Sequence, residues 1–245
     1  MMTGATRVSA ARPRDRLPRF CAVLLLVLAV GGCARFVDVR KTDLLKDARL
    51  GRLAILPFTT DLYVEKSMSP EKPFLVCLLE GKRFKVSTVP PSALEEITAI
   101  FTQQLSIRGG YDLILPGEVS AFIKRRHLDP SALGPRAFFG TIAEGLDVDA
   151  VVAANVYRYD ERQGSSFGAE RPASVLIDVH LLDGRSGELL WEADYNESQS
   201  ALSDNAGSLG LVVQRGARFL TASELASWAV EQIIERFPEP AEKAS

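Results

Sequence analysis

The sequence predicts an α/β or α+β fold: a single mixed sheet with an antiparallel C-terminal hairpin, covered by helices. Three observations carry this. From an apolar run at Arg52–Phe58 to Gly145, short strand patterns and helical patterns follow one another, an order that places helices over a sheet. Near the C-terminus, 173–182 and 188–196 alternate apolar and polar residues around a glycine-containing turn. Last, Leu225, Trp228, Ala229, Ile233 and Phe237 recur at helical spacing. The chain has 245 residues, 47% apolar and 24% charged, which excludes a chain disordered throughout. A net charge of −2 excludes a strongly basic protein held on nucleic-acid phosphates. Three cysteines cannot make a disulfide framework.

Residues 1–32 do not read as part of that fold. Arg7, Arg12, Arg14, Arg16 and Arg19 precede an uncharged run, Phe20 to Val30. A basic segment followed by an apolar core of about 7–15 residues is a secretory signal, and the run is short of the roughly 20 residues that span a bilayer. It ends in Val30-Gly31-Gly32-Cys33. This tetrad resembles the lipobox of bacterial lipoproteins, an aliphatic residue and two small ones before cysteine. The resemblance implies diacylglycerol on the Cys33 thiol and cleavage between Gly32 and Cys33. Ala34 follows, not the aspartate that retains enteric lipoproteins at the inner membrane, so the implied address is the outer membrane, facing the periplasm. Processing leaves 213 residues. Five of the 29 basic and one of the 31 acidic side chains leave with the signal, so the side-chain charge moves from −2 to about −6. Cys21 departs and Cys33 is alkylated. Cys77 remains, a single thiol that is expected to be buried and inert in an oxidising compartment.

Four regions are expected: signal 1–32, lipidated tether 33–49, one globular domain 50–238 and a polar tail 239–245. The sixteen tether residues after Cys33 reach at most roughly 55 Å at about 3.3–3.6 Å each. Arg52–Phe58 is a buried strand closed by Pro57. Thr60–Pro73 is a loop, and Phe74–Leu79 with Arg83–Val89 reads as a hairpin around Glu80-Gly81-Lys82. A helix follows Pro90-Pro91, with Ser92 and Glu95 at capping-box spacing and Leu94, Ile97, Phe101 and Leu105 on one face. Gly109-Gly110 ends it. A short strand at 112–115 and helices at 118–126 and 135–144 come next. Asp149–Tyr159 and Ala173–Leu182 are strands; Val175, Ile177, Val179 and Leu181 form the core face of the second. In the strand after the Asp183–Gly187 turn, Leu189, Trp191, Ala193 and Tyr195 face the core and Glu192 and Asp194 face away. Residues 202–216 are partly helical. Thr221 and Glu224 form a second capping box before the closing helix.

Three segments then resemble a superfamily of envelope proteins: Ala54-Ile55-Leu56-Pro57-Phe58, Asp149-Ala150-Val151-Val152, and the strand-turn-strand Leu182–Trp191. That superfamily includes the curli-secretion-channel lipoproteins, the lipoprotein activators of penicillin-binding proteins and the amino-terminal domain of the periplasmic Tol translocation protein. The resemblance spans roughly residues 50–237. Each motif is a folding signal, so the resemblance carries over no functional residue.

Catalytic patterns fare poorly. Gly164-Ser165-Ser166-Phe167-Gly168 matches G-x-S-x-G, but a nucleophile elbow needs a strand before it and a helix after it. Here polar residues flank it on both sides, so Ser166 reads as a loop serine. Asp178 and His180, the downstream acid and base, sit two apart on one strand face. His127 and His180 lie in no metal-ligand spacing, so no histidine-based zinc site is expected. His180 is placed on the polar side of its strand, and His127 closes the basic run Lys124-Arg125-Arg126, a solvated helix end favoured by the helix dipole. Asp160-Glu161 and Asp194 with Glu197 supply carboxylates with no reason to pair. No phosphate loop or dinucleotide fingerprint is present, and no cofactor is expected. The expected role is a non-catalytic, outer-membrane-anchored binding or assembly module with an envelope protein partner. The alternatives are a subunit of a curli-channel-like pore and a cell-wall or ester hydrolase using Ser166.

Overall fold

The computed structural model describes residues 37–66, 74–199 and 218–241. In chain order its strands are β1 (Val37–Lys41), β2 (Arg52–Ile55), β3 (Val64–Lys66), β4 (Phe74–Cys77), β5 (Arg83–Lys85), β6 (Asp112–Ile114), β7 (Ala150–Asp160), β8 (Gln163–Ser165), β9 (Gly168–Arg171), β10 (Ser174–Asp183) and β11 (Leu189–Ser198). Its helices are α1 (Pro91–Arg108), α2 (Pro116–Arg126), α3 (Pro135–Leu146) and α4 (Ala222–Ile234).

The mixed sheet is borne out. Its six strands run in the order β1-β11-β10-β7-β2-β6. β2 pairs parallel with β6 and β7, while β7, β10, β11 and β1 pair antiparallel in succession. β7 begins as an uninterrupted apolar run because both of its faces are buried there. One face of the sheet carries Leu53, Ile55, Val152, Val179 and Trp191 against Ile97 and Phe101 of α1 and Leu225 and Ala229 of α4. On the other face, around β2 and β7, Phe122 of α2 and Phe139 and Ile142 of α3 cover Ala54, Val151 and Ala153. The rest of that face is covered by a separate three-stranded sheet, β3-β4-β5.

The tether is shorter than the sequence suggests. From Val37 the segment is an edge strand, in register from Val37 opposite Tyr195 to Lys41 opposite Trp191, followed by a 3-10 turn at Asp43–Lys46. Only two valines alternate with charges here, too few for periodicity to mark a strand. What makes it one is the neighbouring edge of β11. The first capping box also fails. α1 starts at Pro91 behind Pro90, and Ser92 lies inside the first turn with no capping bond. Proline suits that first position because its fixed φ is helical and its missing N–H has no partner to lose. The second box is present: the Glu224 N–H donates to Thr221 Oγ1 and the Thr221 N–H to Glu224 Oε2. The expected 202–216 helix lies outside the described residues.

The turn Asp183–Gly187 is built as its composition requires. Asp183 Oδ2 accepts from Ser186 N and Oγ, at 2.7 and 2.8 Å. Gly187 has φ +66°, and a Cβ there would stand 2.6 Å from Arg136 Cα, so α3 packs against this turn only because the residue is glycine.

Candidate functional site

Strand alternation gives β10 and β11 two faces. Val175, Ile177, Val179, Leu181, Trp191, Ala193 and Tyr195 join the α1/α4 core. Leu176, Asp178, His180, Glu192 and Asp194 point the other way. The sequence marks this second face as polar, and polar faces are ordinarily solvated. Here it is buried: Asp178, His180 and Glu192 have no exposed surface and Asp194 has 6%. The cover is the β3-β4-β5 sheet, whose Phe84 stacks on Tyr157 of β7 at 4.6 Å between ring centres. Cys77 joins Phe84, Tyr157 and Leu176 in the same apolar cluster. A backbone bond from Ser87 N–H to the Tyr157 carbonyl, at 3.0 Å, ties the cover to β7, and one from Leu78 N–H to the Tyr63 carbonyl, at 2.8 Å, extends the pairing within the cover itself.

The turn between β4 and β5 inserts charge into this junction. Gly81, at φ +78°, donates its N–H to the Cys77 carbonyl, and the tight turn aims Glu80 and Lys82 at the main sheet. Lys82 Nζ lies 3.0 Å from Glu192 Oε1 and 2.9 Å from Glu80 Oε2, and also donates to Asp194. Arg40 of β1 donates to Glu192 Oε2 at 2.6 Å. His180 Nε2 stands 3.2 Å from Asp178 Oδ1, 3.8 Å from Glu80 Oε1 and 3.7 Å from Cys77 Sγ. Four carboxylates thus meet Arg40, Lys82 and His180.

The protonation equilibria follow from this crowding. Burial pushes the Asp178 carboxyl well up, against the pull of His180. Burial pushes His180 down, but Asp178, Cys77 and Glu80 outweigh it and hold the imidazole's proton. Burial also raises Glu192 and Asp194 against the pull of Lys82. Glu80 alone is drawn below its ordinary 4.5, to about 2, because His180 and Lys82 outweigh its burial. These groups pair with one another beneath the small sheet, where Asp178, His180 and Glu192 have no exposed surface and Lys82 reaches in from the rim.

The structure separates the residues of the hydrolase alternative. Ser166 sits half-buried in the turn of the two-stranded β8–β9 hairpin, where its carbonyl accepts the Phe219 N–H at 2.8 Å. Asp178 and His180 are buried on the main sheet beneath a different element. His127 caps α2 with φ +51°, and the exposed basic run Lys124–Arg126 forms that helix's last turn. Glu161 is structural: its carboxylate accepts the N–H of Ala222 at the start of α4. Asp194 goes to Lys82 and Glu197 to the Tyr195 hydroxyl, so that pair is not used together. Cys77 is free and buried. Gly32 and Cys33 lie outside the described residues, as does Cys21. Among the described residues no helix is long and apolar enough to cross a membrane.

The charged junction was hidden from sequence reasoning because it joins Arg40, Glu80–Lys82, Asp178–His180 and Glu192–Asp194 from four separate segments. The available signal was the run of polar residues on one face of two otherwise apolar strands.

No family model matches the chain, and no curated protein matches its sequence. Among solved structures it is similar to lipoprotein GNA1162 from Neisseria meningitidis, at 16% identity and a TM-score of 0.41 over 68% of this chain and 95% of that one. It is similar to the PelC dodecamer from Paraburkholderia phytofirmans, at 16% identity and 0.39 over 80% and 96%. It is also similar to the C-terminal domain of LpoB from Escherichia coli, at 13% identity and 0.36 over 72% and 94%. A lipoprotein thus stands among its structural neighbours, as among the sequence resemblances. At these scores and identities the likenesses carry no argument about what this chain does.

Proposed function

We propose that this chain is a lipoprotein anchored through Cys33 to the periplasmic face of the outer membrane, where its folded part is a non-catalytic binding or assembly module of the cell envelope. The observation that carries the reading is the order of the N-terminal segments. A basic stretch, an 11-residue uncharged run and a lipobox lead directly into a strand of the main sheet. Two acyl chains hold such a protein firmly, at about 0.8 kcal/mol for each buried methylene.

β1 changes what the anchor implies. Val37 is already part of the sheet, so only four residue steps separate it from Cys33, a reach of at most about 14 Å. The module is held against the bilayer, and its partner meets it at the membrane surface. An activator that must cross the wall to an inner-membrane synthase needs a far longer tether. The arms of the β4–β5 hairpin, four and three residues, are shorter than the roughly 9–11 of a spanning strand, which supports a module that lies on the membrane.

Radioactive palmitate supplied to cells tests the anchor. Label should enter the wild-type chain, and Cys33→Ser should remain an unlabelled precursor; label in the Cys33→Ser chain overturns the reading. Co-purification from membranes with the lipid intact identifies the envelope partner. Ser166→Ala should leave that association and the cellular phenotype unchanged, whereas loss of function in Ser166→Ala favours the hydrolase. Ion conduction by the wild-type chain in a planar bilayer favours the pore.

A further inference from the structure

We propose that Cys77, Glu80, Asp178 and His180 form a buried structural site for a zinc-type divalent cation, which clips the β3-β4-β5 sheet to strand β10. One ligand atom from each of these four residues lies within 4.8 Å of the other three. Two elements present them in pairs. Asp178 and His180 share a face because they are two apart on a strand, and Cys77 and Glu80 are brought together by the tight turn at Gly81.

The distances suit a small tetrahedral ion. Zinc binds thiolate at about 2.3 Å and imidazole or carboxylate at about 2.0–2.2 Å, which sets neighbouring ligand atoms about 3.3–3.6 Å apart. From His180 Nε2 the other three ligand atoms stand at 3.2, 3.7 and 3.8 Å. A thiolate and an imidazole with two carboxylates is a donor set for zinc or cobalt, not for magnesium or calcium, which take all-oxygen sites.

A second, independent observation points to a cation here. Asp178 is wholly buried with His180 Nε2 at 3.2 Å, yet neither of its carboxylate oxygens accepts a hydrogen bond among the described residues. A buried carboxylate left so is costly, and a cation is what satisfies it. The ligands bind deprotonated, so as the metal arrives the Cys77 thiol, the His180 imidazolium and the Asp178 carboxyl, whose proton burial favours, release their protons to solvent. With four protein ligands and no exposed surface at Cys77, Asp178 or His180, no position is left for a substrate, and the site is structural.

The full chain, purified in detergent and exposed to zinc and then desalted, should retain one zinc per molecule. Cobalt in its place should show the intense visible bands of four-coordination and a thiolate-to-metal charge-transfer band. Cys77→Ser should abolish the charge-transfer band and weaken zinc binding by about 100-fold or more, and Glu80→Gln should weaken it about tenfold or more with the band retained. The comparison with Cys77→Ser isolates this thiol whatever the state of Cys33, so the outcome is independent of the anchor. His127→Asn, on an exposed helix end, should change nothing. If Cys77→Ser does not fold, Glu80→Gln, on the turn, carries the comparison. A folded wild-type chain that takes up neither metal overturns the proposal. So does a charge-transfer band that survives in folded Cys77→Ser, or one that disappears in His127→Asn.

Discussion

Lys82 Nζ and Glu192 Oε1 stand 3.0 Å apart, joining a turn at the edge of the small sheet to the buried face of the main sheet. The Glu192 side chain has no exposure, while that of Lys82 retains 33%. The lysine reaches in from the surface, and the carboxylates beneath it depend on that reach. Removing the lysine leaves Glu192 with Arg40 alone and Asp194 without its cation. Breaking one side of a buried pair costs about 3–5 kcal/mol. Lys82→Met should fall at the lower end of that range, because the lysine head is partly solvated. The urea midpoint of the full chain in detergent measures this, and an unchanged midpoint means the junction contributes nothing to stability.

Trp191 is wholly buried, with its ring 5.1 Å from that of Phe237 beyond the end of α4. It connects the sheet to the chain's last helix. Trp191→Ala should cost about 3–5 kcal/mol, as large aromatic truncations do. Against a domain stability of about 5–15 kcal/mol that is severe. Chemical denaturation followed by far-ultraviolet circular dichroism is the measurement, and equal midpoints for variant and wild type would contradict the packing.

β1 is structural, so trimming the N-terminus has a sharp boundary. A chain beginning at Val37 should match the whole in stability. One beginning at Leu50 loses the pairing with β11, the Arg40–Glu192 contact and the buried Val37 side chain, the last alone contributing about 1.5–3 kcal/mol. Thermal unfolding of the two truncations decides the point. Equal stability would restore the segment to the role of a tether.

Acid sensitivity should include a contribution from the start of α4. The Glu224 carboxylate receives Arg218 at 2.7 Å and the Thr221 N–H at 2.9 Å, which together hold it near 2, below its ordinary 4.5. A depressed carboxyl stabilises the fold above its unfolded value. That contribution is complete above about pH 4.5 and is lost as pH falls toward 2. Glu224→Gln should therefore be less stable than wild type at pH 6, with the gap closing by pH 2. A gap that does not change with pH would mean the carboxylate's charge plays no part. The group is largely solvated, so the effect is small and weakens with salt.

Much of the architecture was legible in the sequence because it is local. Period-two alternation marked β10 and β11 and put Trp191 in the core, and Asp183–Gly187 announced its turn through residues whose side chains and φ angles make it. The Thr221–Glu224 capping box and the helical stripe behind it were equally plain. The N-terminal signal and lipobox are read from order and spacing alone. Two local signals misled: the adjacent Pro91 took the helix start from Ser92, and the edge of β11, from elsewhere in the chain, turned a nominal tether into β1.

By itself, then, the sequence determined the separate strands and helices that make up the mixed fold, the terminal hairpin and the expected anchor, since each depends on residues a few positions apart. Only the tertiary structure decided that the polar face of β10 and β11 is dry. Nothing in Asp178, His180, Glu192 or Asp194 says whether water or protein lies above them. That depends on a sheet about a hundred residues earlier in the chain, docked through Phe84 on Tyr157, bringing Cys77, Glu80 and Lys82 to meet them. Burial is a property of the packed chain, and the charges there interact strongly because the packing excludes solvent.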